Sequence, residues 1–476
     1  MREGITFHDV LLVPKRSSIT SRRHVDTTGR FSRKLSINCP IISANMDTVT
    51  EAPMAIAMAR YGGLGVIHRF LTVEEQVEQV RRVKRAENVV IEQPYTVSSD
   101  GAVADARREM DRRQVGGLLV VDSRKRLLGI VTERDLQFQE DGRAPLRRVM
   151  SRKLITAKPG ISPERAQQIL RDGKVEKLPL VDSKGRLVGL ITAKDLKMKR
   201  RYPAASKDVK GRLLVGAAVG VVGDYLERSL ELNRAGVDVL VVDVAHGHAD
   251  HAIDAVRRIK KRLPAMELVA GNVATYEGAR DLAEAGADGI KVGVGPGSIC
   301  STRIVSGSGV PQLSAIMDCA KISSEKGIPV IADGGIRDSG DIVKALAGGA
   351  SSVMLGSLLA GTDESPGWTV VRGGTRYKIY RGMASLTATL SRKTKERGED
   401  EDLDPIEVAE LIPEGVESMA PYRGPVTDVL FQLQGGLRSG MSYSGARTLE
   451  ELWKKSEFIR ISPAAWEESK PHALSQ

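Results

Sequence analysis

Lys291-Val-Gly-Val-Gly-Pro-Gly-Ser-Ile-Cys-Ser-Thr-Arg303 is the stretch on which the reading of this chain turns. An apolar strand ends near Val292 and runs into a loop with three glycines in five residues, and that loop delivers Ser298, Cys300 and Thr302 in quick succession. Glycine lets a backbone approach a ligand closely and adopt φ values that other residues resist. A cysteine presented on such a loop is a nucleophile candidate, with Thr302 placed to carry its proton.

Working outward, the same texture repeats. Short apolar runs at 213–218, 237–243, 267–271, 289–292, 329–332 and 352–355 read as buried strands, with helical spacing over 227–235, 275–285 and 340–346 between them. Upstream, 36–45 and 62–68 read as two more strands, each followed by a helix, over 51–60 and 73–85; residues 4–12 read as a further short strand. Eight strand–helix units without a dinucleotide fingerprint predict a closed (β/α)8 TIM barrel, an α/β fold, rather than an open doubly wound sheet.

The pattern is interrupted once. Leu118-Leu-Val-Val-Asp-Ser-Arg-Lys-Arg-Leu-Leu-Gly-Ile-Val-Thr-Glu-Arg-Asp-Leu136 returns, offset by 60 residues, as Leu178-Pro-Leu-Val-Asp-Ser-Lys-Gly-Arg-Leu-Val-Gly-Leu-Ile-Thr-Ala-Lys-Asp-Leu196. Two copies in register mark a paired module, inserted between the second and third barrel strands, where an exposed loop tolerates it. The pair resembles tandem CBS domains. That resemblance implies a cleft for adenine or guanine nucleotides, with Thr132, Asp135, Thr192 and Asp195 at ribose-binding positions; helix N-capping is the alternative role for each. The expected organisation is a barrel over 1–90, the CBS-like module over 91–201 (copies at 92–142 and 147–198), and the rest of the barrel over 202–476, with a mobile flap over 385–420.

Composition narrows the class. The 476 residues are 41% hydrophobic and 28% charged, as in soluble proteins. No apolar run approaches the ~18–20 residues of a membrane span, and Met1-Arg-Glu-Gly-Ile opens without a signal-peptide pattern. Cys39, Cys300 and Cys319 are too few and too widely spaced for a disulfide framework or a zinc site, which predicts a reducing, cytoplasmic setting. The net charge of +11 is scattered, and its basic clusters lack interleaved aromatics, which argues against nucleic acid.

Barrel chemistry gathers at the C-terminal ends of the strands. Those ends carry Asn45-Met-Asp47, Asp243-Val-Ala-His-Gly-His248, Gly271-Asn272, the cysteine loop, Asp333-Gly-Gly335 and Gly356-Ser357. The last two are small groups suited to a phosphate, with Asp333 near enough to accept from ribose hydroxyls. A nucleoside monophosphate with its base toward Cys300 fits that arrangement. His246 and His248 lack the further ligands a metal site needs.

The chain is similar over essentially its whole length to the IMP dehydrogenase/GMP reductase family, through Phe7-His-Asp-Val-Leu-Leu-Val-Pro14, Gly293-Val-Gly-Pro-Gly-Ser-Ile-Cys300, Asp333-Gly-Gly-Ile336, Tyr380-Arg-Gly-Met383 and Pro413-Glu-Gly-Val416. The resemblance implies a phosphate site from Ser298, Gly335, Gly356, Ser357 and Tyr380, base contacts from Met383 and Glu414, and nicotinamide-side contacts from Asp243 and Asn272. It makes Cys300 the nucleophile at purine C2, with Thr302 and Glu414 relaying protons. It also implies K+ on the carbonyls of Gly295, Gly297 and Cys300, completed by Glu468, Ser469 and Lys470 of a neighbouring subunit in a homotetramer or octamer. Dehydrogenases of the family carry an Arg-Tyr pair on the flap; here Arg397 is followed by Gly398, and no tyrosine occurs between Ser385 and Pro413. Other motifs divide between the two branches. The implied activity is oxidation of IMP to XMP with NAD; the alternatives are reduction of GMP with NADPH and a nucleotide-sensing scaffold without catalysis.

Overall fold

A computed structural model of the chain describes residues 1–86, 90–92, 94–113, 115–194, 196, 201–390 and 412–470. Eight strands close a parallel barrel: β1 (Ile41–Ser43), β2 (Leu64–Ile67), β3 (Gly216–Val219), β4 (Val239–Asp243), β5 (Glu267–Val273), β6 (Gly289–Val292), β7 (Val330–Asp333) and β8 (Ser352–Leu355). Neighbours in sequence pair in space, and β8 returns to β1. Around them lie α1 (Ala52–Tyr61), α2 (Val73–Ala86), α3 (Tyr225–Ala235), α4 (Asp250–Arg262), α5 (Tyr276–Glu284), α6 (Gln312–Cys319), α7 (Ser339–Ala347) and α8 (Val426–Tyr443). The predicted (β/α)8 barrel is present.

Alternation along each strand builds two cores. In β4, Val239 and Val241 join the core inside the barrel, while Leu240 and Val242 pack outward against the helices. That is the period-2 geometry of a strand covered on both faces. It also fixes what lies at the strand ends. Ile290 and Val292 of β6 face outward, as do Val242 of β4 and Ala332 of β7. Lys291, Asp243 and Asp333 therefore turn into the barrel together.

A hairpin of Gly29–Arg30 and Ser36–Ile37 closes one end. Its Phe31 is fully buried in the inner core, and its backbone lies against Gly289 at the start of β6. A ligand must enter from the opposite end, where the strands terminate. The segment at 4–12 is a strand only in its second half. Thr6 and Asp9 bond each other's backbone reciprocally, winding Phe7–Asp9 into a 3-10 turn, and Val10–Leu12 then pairs with Phe458–Arg460. Such a capping box competes with the extended conformation.

Residues 87–203 and 209–212 form a second compact unit, separate from 1–86, 204–208 and 213–476. In it, Gly117–Val121 pairs with Leu127–Thr132 and Lys177–Val181 with Leu187–Thr192, at the 60-residue offset read from the sequence. The copies meet through reciprocal bonds, Leu127 N–H to the Gly185 carbonyl and Leu187 N–H to the Lys125 carbonyl. A three-stranded antiparallel sheet, Thr369–Arg372, Thr375–Arg381 and Glu417–Pro421, is attached to the barrel unit. It takes in part of the expected flap; residues 391–411, including Arg397 and Gly398, lie outside the described residues. Among the described residues no helix is long and apolar enough to cross a membrane.

Candidate active site

The polar centre of the barrel is Lys291, 3% exposed, whose Nζ donates to Asp243 Oδ1 at 2.8 Å and to Asp333 Oδ2 at 2.7 Å. A charge in that position survives only when paired. Burial would lower the Lys291 pKa, but Asp243 and Asp333 outweigh it and hold it above the ordinary lysine value. Burial would likewise raise Asp243; Lys291, helped by Arg69 and a bond from Asn45, keeps it below the usual carboxylate range. Asn272 extends the network, its Nδ2 donating to the Gly293 carbonyl at 2.8 Å and Asp333 Oδ2 at 3.0 Å.

Cys300 sits above this network at the edge of the loop. Its thiol donates to Thr302 Oγ1 at 3.1 Å, and Thr302 Oγ1 donates to Glu414 Oε2 at 2.8 Å. Backbone bonds hold the three in place: Ser301 N–H to the Glu414 carbonyl, Val416 N–H to the Ile299 carbonyl, Gly382 N–H to the Val416 carbonyl, and Glu414 N–H to the Ala384 carbonyl. Met383 and Glu414, distant in sequence, are thereby stitched to the cysteine loop. Arg303 braces its far side, donating to the carbonyls of Val294 and Val310.

Opposite lies a cradle of small groups. Ser298 Oγ is 3.4 Å from the Tyr380 hydroxyl, whose pKa is raised by burial. A Cβ on Gly356 would lie 3.1 Å from Met46 Sδ and 3.2 Å from the Tyr380 oxygen, so a side chain there would crowd both. Ser357 begins the helical turn Ser357–Ala360, and Gly335 holds a positive φ of 79° beside Pro296. Exposed backbone N–H groups in such turns suit anions.

Of the residues singled out from sequence, Cys300, Thr302, Glu414, Ser298, Tyr380, Met383, Gly335, Gly356, Ser357, Asp243, Asn272 and Asp333 come together at the strand ends. Gly295 and Gly297 lie on the cysteine loop. Glu468 ends the helix Pro463–Glu468, followed by Ser469 and Lys470; this helix packs through Trp466 on His8, their rings stacked at 4.0 Å. His248 is bound to Asp281 at 2.9 Å, and among the described residues no His/Cys/Asp/Glu group could hold a metal ion. Cys39 and Cys319 are buried in the core; burial pushes the Cys39 thiol up to about 12.

Sequence reading did not assign Lys291, Gln312 or Arg303 a part in the site, and it placed Asp47 at a strand end without its partner Arg381, 2.9 Å away. Only Lys291 carried a usable signal: a lysine inside a four-residue buried strand requires counter-charges nearby.

In the inserted unit, a cleft of about 1230 Å³ is lined by Thr132 and Asp135, with Lys153, Lys174 and Lys177. Asp135 Oδ2 accepts from both the backbone N–H and the hydroxyl of Thr132, at 2.8 and 2.7 Å. Thr192 is not among the lining residues, and Asp195 lies outside the described residues.

The arrangement defines a class: a (β/α)8 barrel that presents a hydrogen-bonded cysteine across its strand ends from a small-residue, anion-suited cradle. Within it, the chain belongs to the IMP dehydrogenase/GMP reductase family, whose domain matches residues 4–472. It is 57% identical over 474 residues to an inosine-5'-monophosphate dehydrogenase of Nitrosopumilus maritimus, covering 99% of this chain and 98% of that one. Corresponding enzymes of Aquifex aeolicus and Bacillus subtilis are 51% and 49% identical, each covering 99% of this chain and 96% of the relative. Among solved structures, a cysteine-to-alanine variant of GMP reductase from Trypanosoma brucei, in complex with guanosine 5'-monophosphate, superposes with a TM-score of 0.93 at 44% identity, covering 100% of this chain and 99% of that one. The same reductase in complex with guanosine 5'-triphosphate gives 0.81 at 41% identity, covering 97% and 98%.

Proposed function

We propose that this chain is an IMP dehydrogenase, oxidising IMP to XMP with NAD through a covalent bond to Cys300, in guanine nucleotide synthesis. The observation that carries the reading is identity of 49–57% over nearly full length to IMP dehydrogenases of three organisms. The hydrogen-bond chain from Cys300 through Thr302 to Glu414 supports it chemically. Transfer of the thiol proton along that chain leaves a thiolate to add to C2 of IMP. Once C2 has lost its hydride and Glu414 has released the thiol proton to solvent, water must open the thioimidate, and the same chain takes the proton of that water and returns it to the departing sulfur. Ser298, Gly335, Gly356, Ser357 and Tyr380 bind the phosphate, Asp333 the ribose, and Met383 and Glu414 the base. Arg397 takes the role of the flap arginine.

NAD, when bound, supplies the hydride acceptor. Asp243 and Asn272 are the residues to hold its nicotinamide end. The fit is supported by Asn272 Oδ1, a buried acceptor without a partner among the described residues, which a carboxamide N–H would satisfy. For K+, the carbonyls of Gly295, Gly297 and Cys300 are oxygen donors of the right kind. That of Gly297 already accepts the Cys300 N–H at 3.1 Å and keeps a second lone pair. The partner subunit's Glu468, Ser469 and Lys470 would complete such a site, in a homotetramer or octamer. Residues 91–201 are proposed as a CBS module whose cleft binds adenine or guanine nucleotides, inserted between barrel segments 1–90 and 202–476. A cytoplasmic setting belongs to the same reading.

The second reading, GMP reductase with NADPH, is favoured by the reductase structures at 41–44% identity and by Gly398 in place of the flap tyrosine. The near-ultraviolet absorbance of reduced nicotinamide decides. It rises with IMP plus NAD if the proposal holds. A fall with GMP plus NADPH, and no rise with the first pair, would establish the reductase. Silence in both would leave a nucleotide-sensing scaffold.

A further inference from the structure

Gln312 opens α6, the helix that follows the cysteine loop, and is 3% exposed. Its Nε2 donates to the Val292 carbonyl at 3.0 Å and to the Asp333 carbonyl at 3.1 Å. Those two carbonyls end neighbouring strands, since the last paired residues of β6 and β7 are Val292 and Ala332. Beyond that pair, β6 runs into the loop that carries Cys300, and β7 ends at Asp333 and runs into Gly334 and Gly335. One carboxamide thus supplies the next rung between two strands where their own pairing stops.

The surroundings are built to this rung. A Cβ on Gly293 would collide with the Asp333 carbonyl oxygen and lie 3.1 Å from Gln312 Nε2, while one on Gly335 would lie 3.5 Å from Gln312 Cβ. Gln312 Oε1 is buried and has no partner among the described residues. The residue is therefore kept for its two donors, despite an unmatched acceptor.

We propose that Gln312 is a positioning residue: its two hydrogen bonds set the spacing between the cysteine loop and the Asp333-Gly-Gly335 loop. They thereby set the approach of Cys300 Sγ to a nucleotide anchored by ribose and phosphate. This rests on the reading of Cys300 as nucleophile and of Asp333 and Gly335 as nucleotide-binding. Gln312 itself touches neither the thiol nor the substrate. A nucleophile misplaced by about 1 Å can lose on the order of 100-fold in rate while substrate binding persists.

Two variants of the full chain test it. Gln312→Met keeps the length of the side chain and removes both donors. Gln312→Glu cannot donate when ionised but donates one O–H when protonated. Calorimetry with IMP and steady-state kinetics with IMP and NAD are measured on each. Gln312→Met is expected to lower kcat about 10- to 100-fold, with IMP affinity within about threefold of the parent. The rate of Gln312→Glu relative to the parent is expected to recover as pH falls, which a merely structural role would not produce. If Gln312→Met does not fold, that pH-dependent ratio carries the test. A kcat within twofold of the parent would overturn the proposal, as would loss of rate and affinity in parallel with no recovery at low pH. A parent enzyme that fails to bind IMP would instead sink the functional reading beneath it.

Discussion

At the barrel mouth, Asp243 and Asp333 are held by Lys291, a lysine closed off from solvent. In the inserted unit, Asp135 is held by the Thr132 backbone N–H and hydroxyl of its own helix start. The forces that fix these carboxylates differ in kind. The first depends on a buried charge whose partners come from two other strands, so it is as rigid as the barrel. The second is a local turn, satisfied within four residues. Chemistry that demands sub-ångström placement belongs on the first kind of support, and reversible binding is compatible with the second.

The largest effect expected from breaking this contrast lies at Cys300. Replacement by Ala should reduce turnover by more than about 10⁴-fold, since an activated nucleophile acts as a unit with its relay; progress curves for XMP formation check it. Activity within tenfold of the parent would remove Cys300 from the mechanism.

Lys291→Met comes next. It leaves Asp243 and Asp333 without the cation that bonds both, and removing one partner of a buried pair costs about 3–5 kcal/mol. Denaturant unfolding of the full chain at neutral pH measures this. The sign with pH follows from the shifts. Asp243 is depressed below its ordinary value of 3.8, so its stabilising contribution is present above that value and fades as pH falls through the depressed one. Lys291 is raised above 10.5, so its contribution is complete below that value and is lost only at more alkaline pH. Asp243 and Lys291 thus contribute no pH dependence between about 5 and 10. In Lys291→Met the carboxylates lose the group that kept Asp243 ionised, and stability should instead rise on acidification.

How far this was legible from sequence depends on where each partner lies. β6 and its loop read correctly because apolar strand, glycines and cysteine are contiguous. β4 and β8 read correctly for the same local reason. The sheet of Thr369–Arg372, Thr375–Arg381 and Glu417–Pro421 did not, because its outer strands are mostly exposed and lack the apolar alternation that marks a strand. Its third strand also pairs across more than thirty intervening residues. Gln312 drew no reading as a site residue. A glutamine at a helix start has no pattern announcing that its amide spans two loops, one of them twenty-one residues downstream. Lys291 was visible and went unused. Its burial followed from the strand, and its need for acids followed from its burial.

A smaller effect is expected at Glu414→Gln. The amide keeps a hydrogen bond to Thr302 but cannot take up a proton, and loss of a positioned base costs about 10²-fold or more. If the relay serves the water step, presteady-state mixing should show a rapid first turnover of NADH followed by a slow steady state. A uniform slowing of both phases would place Glu414 in the initial attack instead.

The smallest effect tests the other side of the comparison. Asp135→Ala removes the carboxylate that accepts both Thr132 bonds and should cost the inserted unit about 1 kcal/mol, as the loss of a helix cap does. Thr132→Val removes the hydroxyl alone and leaves the backbone N–H bonded to Asp135, so its cost should be smaller. The two roles then separate by titration with ATP or GTP. A carboxylate that only caps a helix predicts that affinity follows stability, with both variants binding nearly as the parent does. A carboxylate that also receives ribose hydroxyls predicts that Asp135→Ala weakens binding by tenfold or more, because a buried ribose hydroxyl loses its charged acceptor. Thr132→Val should then bind within a few-fold of the parent, since the acceptor remains. Ribose binding would also oblige Asp135 to share Oδ2, already engaged twice, or to turn Oδ1 inward from its 3.5 Å contact with Ser151 Oγ. At the barrel mouth no such choice exists, because Lys291 has already fixed which oxygen each aspartate presents.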